Sequence, residues 1–284
     1  RRTVSEGPAA GHEVLSNPTS ARISRVAGLS RRNARAKHRR FLVEGPQGVR
    51  EAVRHAPGRV LDVYLTEAAL ERHSDIWDEA VAAGLYVHVT TQQVMDAMSP
   101  DAQGLLAVVA TEEATGSEAL AAALEGARLV AVLTQAQDPG NAGTIIRAAD
   151  AAGADAVVLV RGSVDPTAPK VVRSTAGSLF HLPVVTGVAL DDAVTALHNA
   201  GLTVLAADGR GDFDLFEAES LLEAPSAWLL GNEAHGLPPE ALSRADAVAS
   251  IPIYGKAESL NVAAAAAVCL YASARAQAQH PGRS

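Results

Sequence analysis

Cysteine is almost absent from this 284-residue sequence, which contains only Cys269. A single thiol can form neither a disulfide framework nor a thiolate metal cluster, which predicts a protein of the reducing cytoplasm. No apolar run reaches the roughly 18 residues of a membrane span, and the first twenty residues contain no apolar signal segment. The nine His residues show no close pair at metal-ligand spacing. We therefore expect no metal, no membrane and a cytoplasmic location.

Aromatic residues are also scarce, at 4% of the chain, whereas hydrophobic residues reach 48%. This composition is ordinary for an α/β protein whose core is built from Ala, Val and Leu. The length is too great for one average domain and comfortable for two, each large enough to bury its own core.

Negative charge dominates the whole sequence, with a net charge of −8, but it is unevenly distributed. Residues 1–40 hold ten Arg plus Lys and two Asp plus Glu, a net of +8, which leaves −16 for the remainder. From Arg22 to Arg40 there are eight basic residues and no acidic one. Such a run is either a solvated helix face or a surface that binds phosphates, and charge alone does not decide between them.

The order of patterns along the chain predicts four regions. Residues 1–19 lack periodicity and are expected to be a flexible tail. Residues 20–112 alternate strands and helices and predict an α/β/α domain, and residues 113–126 read as a linker with a helical turn. Residues 127–284 alternate again and predict a mostly parallel sheet covered on both faces, with ligands at the carboxyl ends of its strands.

Three segments of the last region, residues 127–284, interrupt this alternation, and each begins where a strand ends. In DPGNAGTIIRAAD, Asn141 is placed to cap a helix, Gly143 lets backbone amides approach a ligand, and Arg147 follows within two turns. In LLGNEAHGLPPE, small residues form a turn where a ligand could lie against the backbone. Taken singly, these two segments could be a helix cap beside a surface arginine and a plain loop.

The third segment, IPIYGKAESLNVAAAAA, crowds Gly, Ser and Asn into one turn before five alanines. Ser259 is placed to cap the helix, and the alanines let that helix pack with its axis very near another chain segment. Close packing explains the alanines but leaves the polar turn unexplained.

In this order and at these distances, DPxNxGxxxR, GNExxG and IPxxGxxxSLNVA resemble the three motifs of the SpoU (TrmH-like) branch of the SPOUT methyltransferases. The resemblance covers the chain from about Arg128 onward. It implies S-adenosylmethionine as the cofactor, methylation of a ribose 2'-hydroxyl in RNA, and an α/β domain tied as a deep trefoil knot. Such threading is rare, so pattern reasoning alone would exclude it.

The resemblance also implies the residues of the site. Gly231, Ile251 and Leu260 would contact the cofactor, largely through backbone groups, with Asn232 and Ser259 in the same loops. The catalytic candidates that it implies are Asn141, Arg147, Glu233 and Asn261. The family's motif-one arginine is thought to take the hydroxyl proton, yet an arginine with a pKa of about 12 or higher is normally a cation. We therefore expect Arg147 to stabilise the developing alkoxide, with the proton passing to solvent or phosphate, the asparagines positioning it and Glu233 orienting the arginine.

The first half is similar to the L30e-like domain that often precedes a SpoU domain, on the basis of its arginine spacing and the FLVEGxxxVxEA stretch. This likeness favours RNA binding by the basic run. The predicted RNA-binding residues are Arg22, Arg25, Arg31, Arg32, Arg35, Lys37, Arg39 and Arg40.

The resemblance predicts a homodimer and ribosomal RNA, most specifically 23S, as the substrate. Only three of the 24 basic residues are Lys, a composition that would suit an antibiotic producer protecting its ribosome. Three alternatives stay open: a transfer-RNA 2'-O-methyltransferase, a knotted base methyltransferase, and a catalytically silent RNA-binding protein. A Rossmann nucleotide-binding protein is disfavoured because GxGxxG is absent.

Overall fold

The computed structural model describes residues 13–112, 114–232 and 234–279. The chain forms two compact units, one of Arg1–Glu112 with Thr167–Phe180 and the other of Glu113–Pro166 with His181–Ser284. The expected tail lies outside the described residues as far as residue 12. Its remainder is partly ordered, because Val14–Leu15 forms a strand that pairs in parallel with Val89 and Thr90.

The first unit is a five-stranded mixed sheet with helices on both faces. Its strands are β1 (Val14–Leu15), β2 (Arg40–Glu44), β3 (Val60–Thr66), β4 (Val87–Thr90) and β5 (Leu105–Ala110), in the order β1-β4-β3-β5-β2. β5 is antiparallel to both of its neighbours, and the other pairs are parallel. Its helices are α1 (Ala21–Gly28), α2 (Arg32–His38), α3 (Pro46–His55), α4 (Glu67–Arg72), α5 (Ser74–Ala82), α6 (Gln92–Met98) and α9 (Pro169–Ser174).

Alternation along the strands places a separate core on each face of this sheet. Val63 and Leu65 of β3 join the core beneath α3 and α5, whereas Tyr64 between them joins the core beneath α1 and α6. Successive side chains of a strand point to opposite faces, so both faces require helices. The predicted α/β/α class is confirmed.

The α9 segment comes from the second half of the sequence but belongs to the first unit. The Arg173 guanidinium pairs with the buried carboxylate of Glu44, whose other oxygen accepts a hydrogen bond from the Ser99 hydroxyl at 2.6 Å. Phe180 stacks on Phe41 with ring centroids 6.4 Å apart, and Val172 is buried in the same core. These contacts make α9 part of the first unit's hydrophobic packing.

The second unit is a seven-stranded parallel sheet. Its strands are β6 (Leu129–Leu133), β7 (Ala156–Val160), β8 (Val184–Val188), β9 (Thr203–Ala207), β10 (Phe213–Asp214), β11 (Ser226–Leu230) and β12 (Ala247–Ser250), in the order β10-β12-β9-β11-β6-β7-β8. Its helices are α7 (Gly116–Ala123), α8 (Pro139–Ala151), α10 (Leu190–Asn199), α11 (Glu219–Leu222), α12 (Pro239–Arg244) and α13 (Val262–Gln279). The predicted parallel sheet is confirmed.

Both faces of this sheet are covered. Ala227 and Leu229 of β11 pack in the core with Leu120 and Leu197, while Trp228 between them donates its indole N–H to the Ser273 hydroxyl on α13 at 2.8 Å. The stretch expected as a linker is therefore largely α7, which contributes Leu120 to the core. No helix in the described part of the chain combines the length and apolar character needed to cross a membrane.

Candidate active site

The three motif segments meet at one edge of the second unit's sheet. β6, β11, β9 and β12 are consecutive neighbours and all run parallel, so the loops that follow them leave from the same edge. Carboxyl edges of parallel sheets are where such folds bind ligands. The sequence-predicted location of the site is therefore also the place where the fold brings the motifs together.

The loop between β6 and α8 is fixed at both ends. The Thr134 hydroxyl, which is buried, donates to the Leu230 carbonyl at 2.8 Å and so fastens this loop to the end of β11. At the other end the Asp138 carboxylate caps α8 by accepting a hydrogen bond of 2.7 Å from the backbone N–H of Asn141. The prediction that Asn141 is the cap is wrong, because the helix begins at Pro139 and leaves the Asn141 side chain available for another contact.

The loop between β11 and α12 folds tightly on itself. Asn232 and Gly236 exchange two backbone hydrogen bonds of 2.9 Å, and a Cβ added to Gly231 would lie 2.4 Å from the Gly236 carbonyl carbon. Only glycine fits such a close backbone approach. The side-chain amide of Asn232 also donates to the backbone carbonyl of Gln135 at 2.9 Å, which joins this loop to the one after β6.

The loop between β12 and α13 ends at Asn261, which caps the helix. Its side-chain oxygen accepts from the amides of Ala263 at 2.8 Å and Ala264 at 3.3 Å. The cap role predicted for Ser259 is therefore wrong, since α13 begins at Val262 and Ser259 lies too far upstream. The side-chain amide of Asn261 donates to the side-chain oxygen of Asn141 at 3.2 Å, which links the first and third motifs directly.

The backbone of residues 251–260 is rich in unused hydrogen-bonding groups. Within the described part of the chain, none of these residues forms a backbone hydrogen bond, and Ile253 to Leu260 are exposed. These ten residues of irregular backbone leave from the same sheet edge as the Gly231 loop, and they offer many donors and acceptors to a ligand. This donor set fits a cofactor that is held largely through backbone groups, including those of Ile251 and Leu260.

Arg147 is exposed on α8, and its guanidinium has no hydrogen bond or ion pair with any described residue. It follows Asn141 by six positions, which corresponds to about 9 Å along the helix axis and a different face. The structure thus brings Asn141 and Asn261 together and ties Asn232 to the loop after β6, but it leaves Arg147 exposed to solvent. Glu233, the remaining catalytic candidate, lies outside the described residues.

Asp208 lies beside the loop between β11 and α12, and the sequence analysis did not name it. It directly follows β9, its carboxylate is largely buried, and one oxygen lies 3.8 Å from where a Cβ on Gly236 would stand. The hydrogen bond from the Arg210 guanidinium lowers the pKa of Asp208, so this carboxylate is charged at neutral pH. Its position, an acid at the carboxyl end of a parallel strand, was the available signal.

The basic segment of the first unit forms α1, α2 and the start of β2. Arg25, Arg31, Arg32, Lys37, Arg39 and Arg40 are exposed, and Arg22 is half-buried. Arg35 is different: it is buried and donates to the carbonyls of Leu29 at 3.2 Å and Ser30 at 2.8 Å. Its position ties the turn between α1 and α2 together, which does not suit the RNA contact predicted for it.

Comparisons with known proteins agree with these motifs. Residues 128–271 match the SpoU rRNA Methylase family, and residues 42–115 match the domain described as RNA 2'-O ribose methyltransferase substrate binding. The chain is 36% identical over 248 residues to the 23S rRNA (guanosine(2553)-2'-O)-methyltransferase RlmP of Bacillus subtilis, covering 86% of this chain and 92% of that protein. It is 34% identical over 261 residues to the 23S rRNA (uridine(2479)-2'-O)-methyltransferase of Streptomyces viridochromogenes, covering 87% and 86%.

A solved structure has the same fold over nearly the whole length. The AdoMet-bound rRNA methyltransferase from Sinorhizobium meliloti matches with a TM-score of 0.78 and 28% identity, covering 93% of this chain and 97% of that one. The resemblance predicted from the three motifs is confirmed. The chain therefore belongs to the SpoU rRNA methylase family and is an RNA (ribose-2'-O)-methyltransferase.

Proposed function

We propose that this enzyme methylates the 2'-hydroxyl of a ribose in 23S ribosomal RNA at the carboxyl edge of the parallel sheet. The observation that carries the proposal is the hydrogen bonding between loops, in which Asn261 contacts Asn141 and Asn232 contacts the Gln135 carbonyl. Two relatives are named for 2'-O-methylation of 23S rRNA, one at a guanosine and one at a uridine. The two named nucleotides differ in their base, and both are methylated on the ribose. This favours a site that acts on the sugar whatever the base.

S-adenosylmethionine is the methyl donor, and it supplies an electrophilic methyl group on a positively charged sulfonium. The loop backbones at Gly231, Ile251 and Leu260 hold it, with Asn232 and Ser259 in the same two loops. The carboxylate of Asp208 lies beside Gly236 and adds negative charge next to this loop. Negative charge near a cationic ligand favours its binding, and more so where the carboxylate is shielded from water.

Arg147 acts on the RNA and not on the fold. A guanidinium is a permanent cation with a planar set of donors, so it can stabilise the developing alkoxide on the ribose and bind the adjoining phosphate at once. Asn141 and Asn261 position the reacting hydroxyl, and Glu233 orients the arginine. The hydroxyl proton passes to solvent or to a phosphate oxygen, because the guanidinium of Arg147 is already protonated and cannot accept it.

The first unit holds the RNA through the exposed members of its basic segment.

The second unit pairs with a second copy of the chain, and its sheet carries the trefoil knot predicted from the motifs. A groove of about 460 Å³ between α11 and α13 supports the dimer, because it exposes 56% of Phe216 and 52% of Tyr271. Exposed aromatics rimmed by polar residues mark protein interfaces. A role in antibiotic resistance stays a prediction from composition.

The test is transfer of labelled methyl from S-adenosylmethionine to a 23S rRNA transcript, followed by mapping of 2'-O-methyl positions. Gly231→Ala should abolish cofactor binding, since the added Cβ would clash with the backbone of Gly236. Gly209→Ala is the matched control, because nothing lies within 4 Å of a Cβ there. Titration calorimetry with S-adenosylmethionine measures the cofactor affinity of both variants.

Four results would contradict parts of the proposal. Methyl groups found on bases would exclude ribose chemistry, and transfer RNA preferred over the 23S transcript would exclude the substrate. Activity that vanished with a chelator and returned only on adding a divalent ion would contradict direct transfer, provided that RNA folding was controlled. Equal cofactor affinity in both glycine variants would remove the Gly231 loop from the cofactor site.

A further inference from the structure

The first unit contains a pocket of about 180 Å³ that the methyl-transfer chemistry does not use. It lies where α1, β3, β5 and the start of β2 meet. Its polar wall consists of Arg22, Arg25, His38, Arg40 and the hydroxyl-bearing ring of Tyr64. These groups come from four separate elements, so the pocket is a product of the fold and not of one charged helix.

Positive charge dominates this wall. Asp62 is the acidic residue of the lining. One oxygen of its carboxylate already lies 3.0 Å from the Arg22 guanidinium and 2.8 Å from Nε2 of His88. Arg25 and Arg40 are exposed, and their guanidinium groups have no hydrogen bond or ion pair within the described residues. Because Arg22 is paired with Asp62, the guanidinium groups of Arg25 and Arg40 are the surplus donors of the pocket, which suits an anion.

Arg22 is held rigidly at the inner side of the pocket. Its guanidinium donates to the Tyr64 hydroxyl at 3.1 Å and lies 5.6 Å from the centroid of the Tyr64 ring. Although burial opposes it, the hydrogen bond to Tyr64 and the attraction of Asp62 raise the pKa of Arg22. A guanidinium fixed in this way loses little freedom when a ligand arrives.

The floor of the pocket is apolar. Val26, Leu29 and Val108 line it and belong to the core beneath α1 and α6. An inorganic anion alone would gain nothing from these side chains, whereas a ligand with a flat apolar part would bury it there. The volume is below the roughly 300–1,000 Å³ of pockets that enclose a drug-sized ligand, so it limits the occupant to one small unit.

We propose that this pocket binds a single unstacked nucleotide of the RNA, with its phosphate on Arg25 and Arg40 and its base against the apolar floor. Proteins that read RNA usually take bases splayed out of loops, place them on aromatic or guanidinium planes, and hold the phosphates with basic side chains. The proposal rests on the proposed function for the RNA that enters the pocket. The pocket's own chemistry, an anion site above an apolar floor, is independent of that function.

Arginine footprinting with phenylglyoxal tests the pocket directly on the full-length protein. Uridine 5'-monophosphate should protect Arg25 and Arg40 from modification and leave Arg32 reactive, because Arg32 is exposed in the same segment but lies outside the pocket. Inorganic phosphate at the same concentration should protect the pocket arginines less, since it cannot use the floor. A 23S rRNA transcript should protect Arg25 and Arg40 most strongly.

Paired variants then connect the pocket to the substrate. Arg25→Ala with Arg40→Ala should raise the KM for the 23S transcript roughly tenfold or more, as loss of hydrogen bonds to a charged group implies. The kcat and the affinity for S-adenosylmethionine should stay within about twofold, because both residues belong to the first unit and the site loops belong to the second. Arg31→Ala with Arg32→Ala removes the same charge outside the pocket and should raise KM clearly less.

The outcomes separate the two proposals. Equal protection of Arg25, Arg40 and Arg32 by the nucleotide, or equal KM effects of the two double variants, would overturn the pocket and make the segment a diffuse charged face. Equal protection by phosphate and nucleotide would overturn the base site. If the enzyme failed to methylate 23S rRNA while the nucleotide still protected Arg25 and Arg40, the proposed function would fail and the pocket would stand.

Discussion

Arg147 is the residue whose substitution best separates chemistry from folding. It is exposed on α8 without a partner among the described residues, so its side chain contributes little to packing. Arg147→Ala should lower kcat roughly a hundredfold or more, as removal of one preorganised transition-state donor does elsewhere. Measured in parallel, the free energy of unfolding and the affinity for S-adenosylmethionine should be unchanged.

Two companion variants complete this prediction. Arg147→Lys should restore little activity, because a point-charge ammonium cannot reproduce the planar fork of donors. Arg161→Ala removes another exposed arginine of the same unit, whose guanidinium donates to the Gly187 carbonyl, and should leave kcat nearly unchanged. Near-normal turnover of Arg147→Ala would make Arg147 a surface residue and refute its proposed role.

Sequence reasoning at this scale identified the right segments but not every role within them. It placed Asn141 and Asn261 at the site, yet it gave the caps to Asn141 and Ser259 when they belong to Asp138 and Asn261. Neighbouring Asp, Ser and Asn residues are all good caps, and the choice depends on where tertiary packing starts the helix. The RNA contact predicted for Arg35 is wrong for a related reason, because charge alone does not show which arginine of a short helix turns inward.

Cys269 is unsuited to act as a nucleophile. Burial raises the pKa of its thiol to about 12, so the reactive thiolate is almost absent at neutral pH. A pyrimidine C5 mechanism would need an accessible thiolate in the site, whereas this residue lies buried within α13.

At the scale of elements, α13 is anchored to β11 by one buried hydrogen bond. The Trp228 indole and the Ser273 hydroxyl are both fully buried and 2.8 Å apart. Ser273→Ala leaves a buried N–H without its acceptor, which should lower the free energy of unfolding by about 1–3 kcal/mol. Urea denaturation followed by Trp228 fluorescence in a Trp77→Phe background measures this change.

Ser243→Ala provides the comparison, since the Ser243 hydroxyl donates to the Glu240 carbonyl on the exposed side of α12. It should shift the free energy of unfolding by less than about 0.5 kcal/mol, as surface substitutions usually do. If the two serine variants unfolded alike, the bond to Trp228 would not be what anchors α13.

Most elements were predictable, and those that were missed have a common cause. β1 and β10 have two residues each, and β8 carries Gly187 with φ of 77° in an otherwise short run. Such strands depend on a neighbour for their hydrogen bonds and leave too few residues for a period to appear. The sequence pattern predicts one helix over residues 20–38 and another over residues 68–84, because the apolar spacing is continuous in each. The structure breaks the first at residues 29–31 and the second at His73.

For the whole molecule we predict a homodimer formed by the second unit. The groove beside Phe216 and Tyr271 and the exposed side of α13 should be buried in a symmetric interface of well over about 1,000 Å². Sedimentation should show a dimer at micromolar concentration, and Phe216→Glu should shift it to a monomer without unfolding. A monomeric wild-type protein at that concentration would refute the proposal.

At this scale the sequence predicted two compact regions from length and alternation but not how the chain divides between them. Residues 167–180 follow β7 without any change of composition, and their return to the first unit depends on Val172 and Phe180 fitting a core far away in sequence. Pairings of such long separation leave no local signal. The knot is of the same kind, and here it stays a prediction from the motifs.

The return of residues 167–180 has a consequence for synthesis on the ribosome. The first unit cannot complete its packing when Glu112 emerges, because Val172 and Phe180 are made 60 and 68 residues later. At roughly 5–20 residues per second, the delay from Glu112 to Phe180 is on the order of 3–14 s. During this interval Phe41 lacks the ring that stacks on it and Glu44 lacks its arginine. The core of the first unit therefore stays unfinished while β6 and β7 of the second unit are being made.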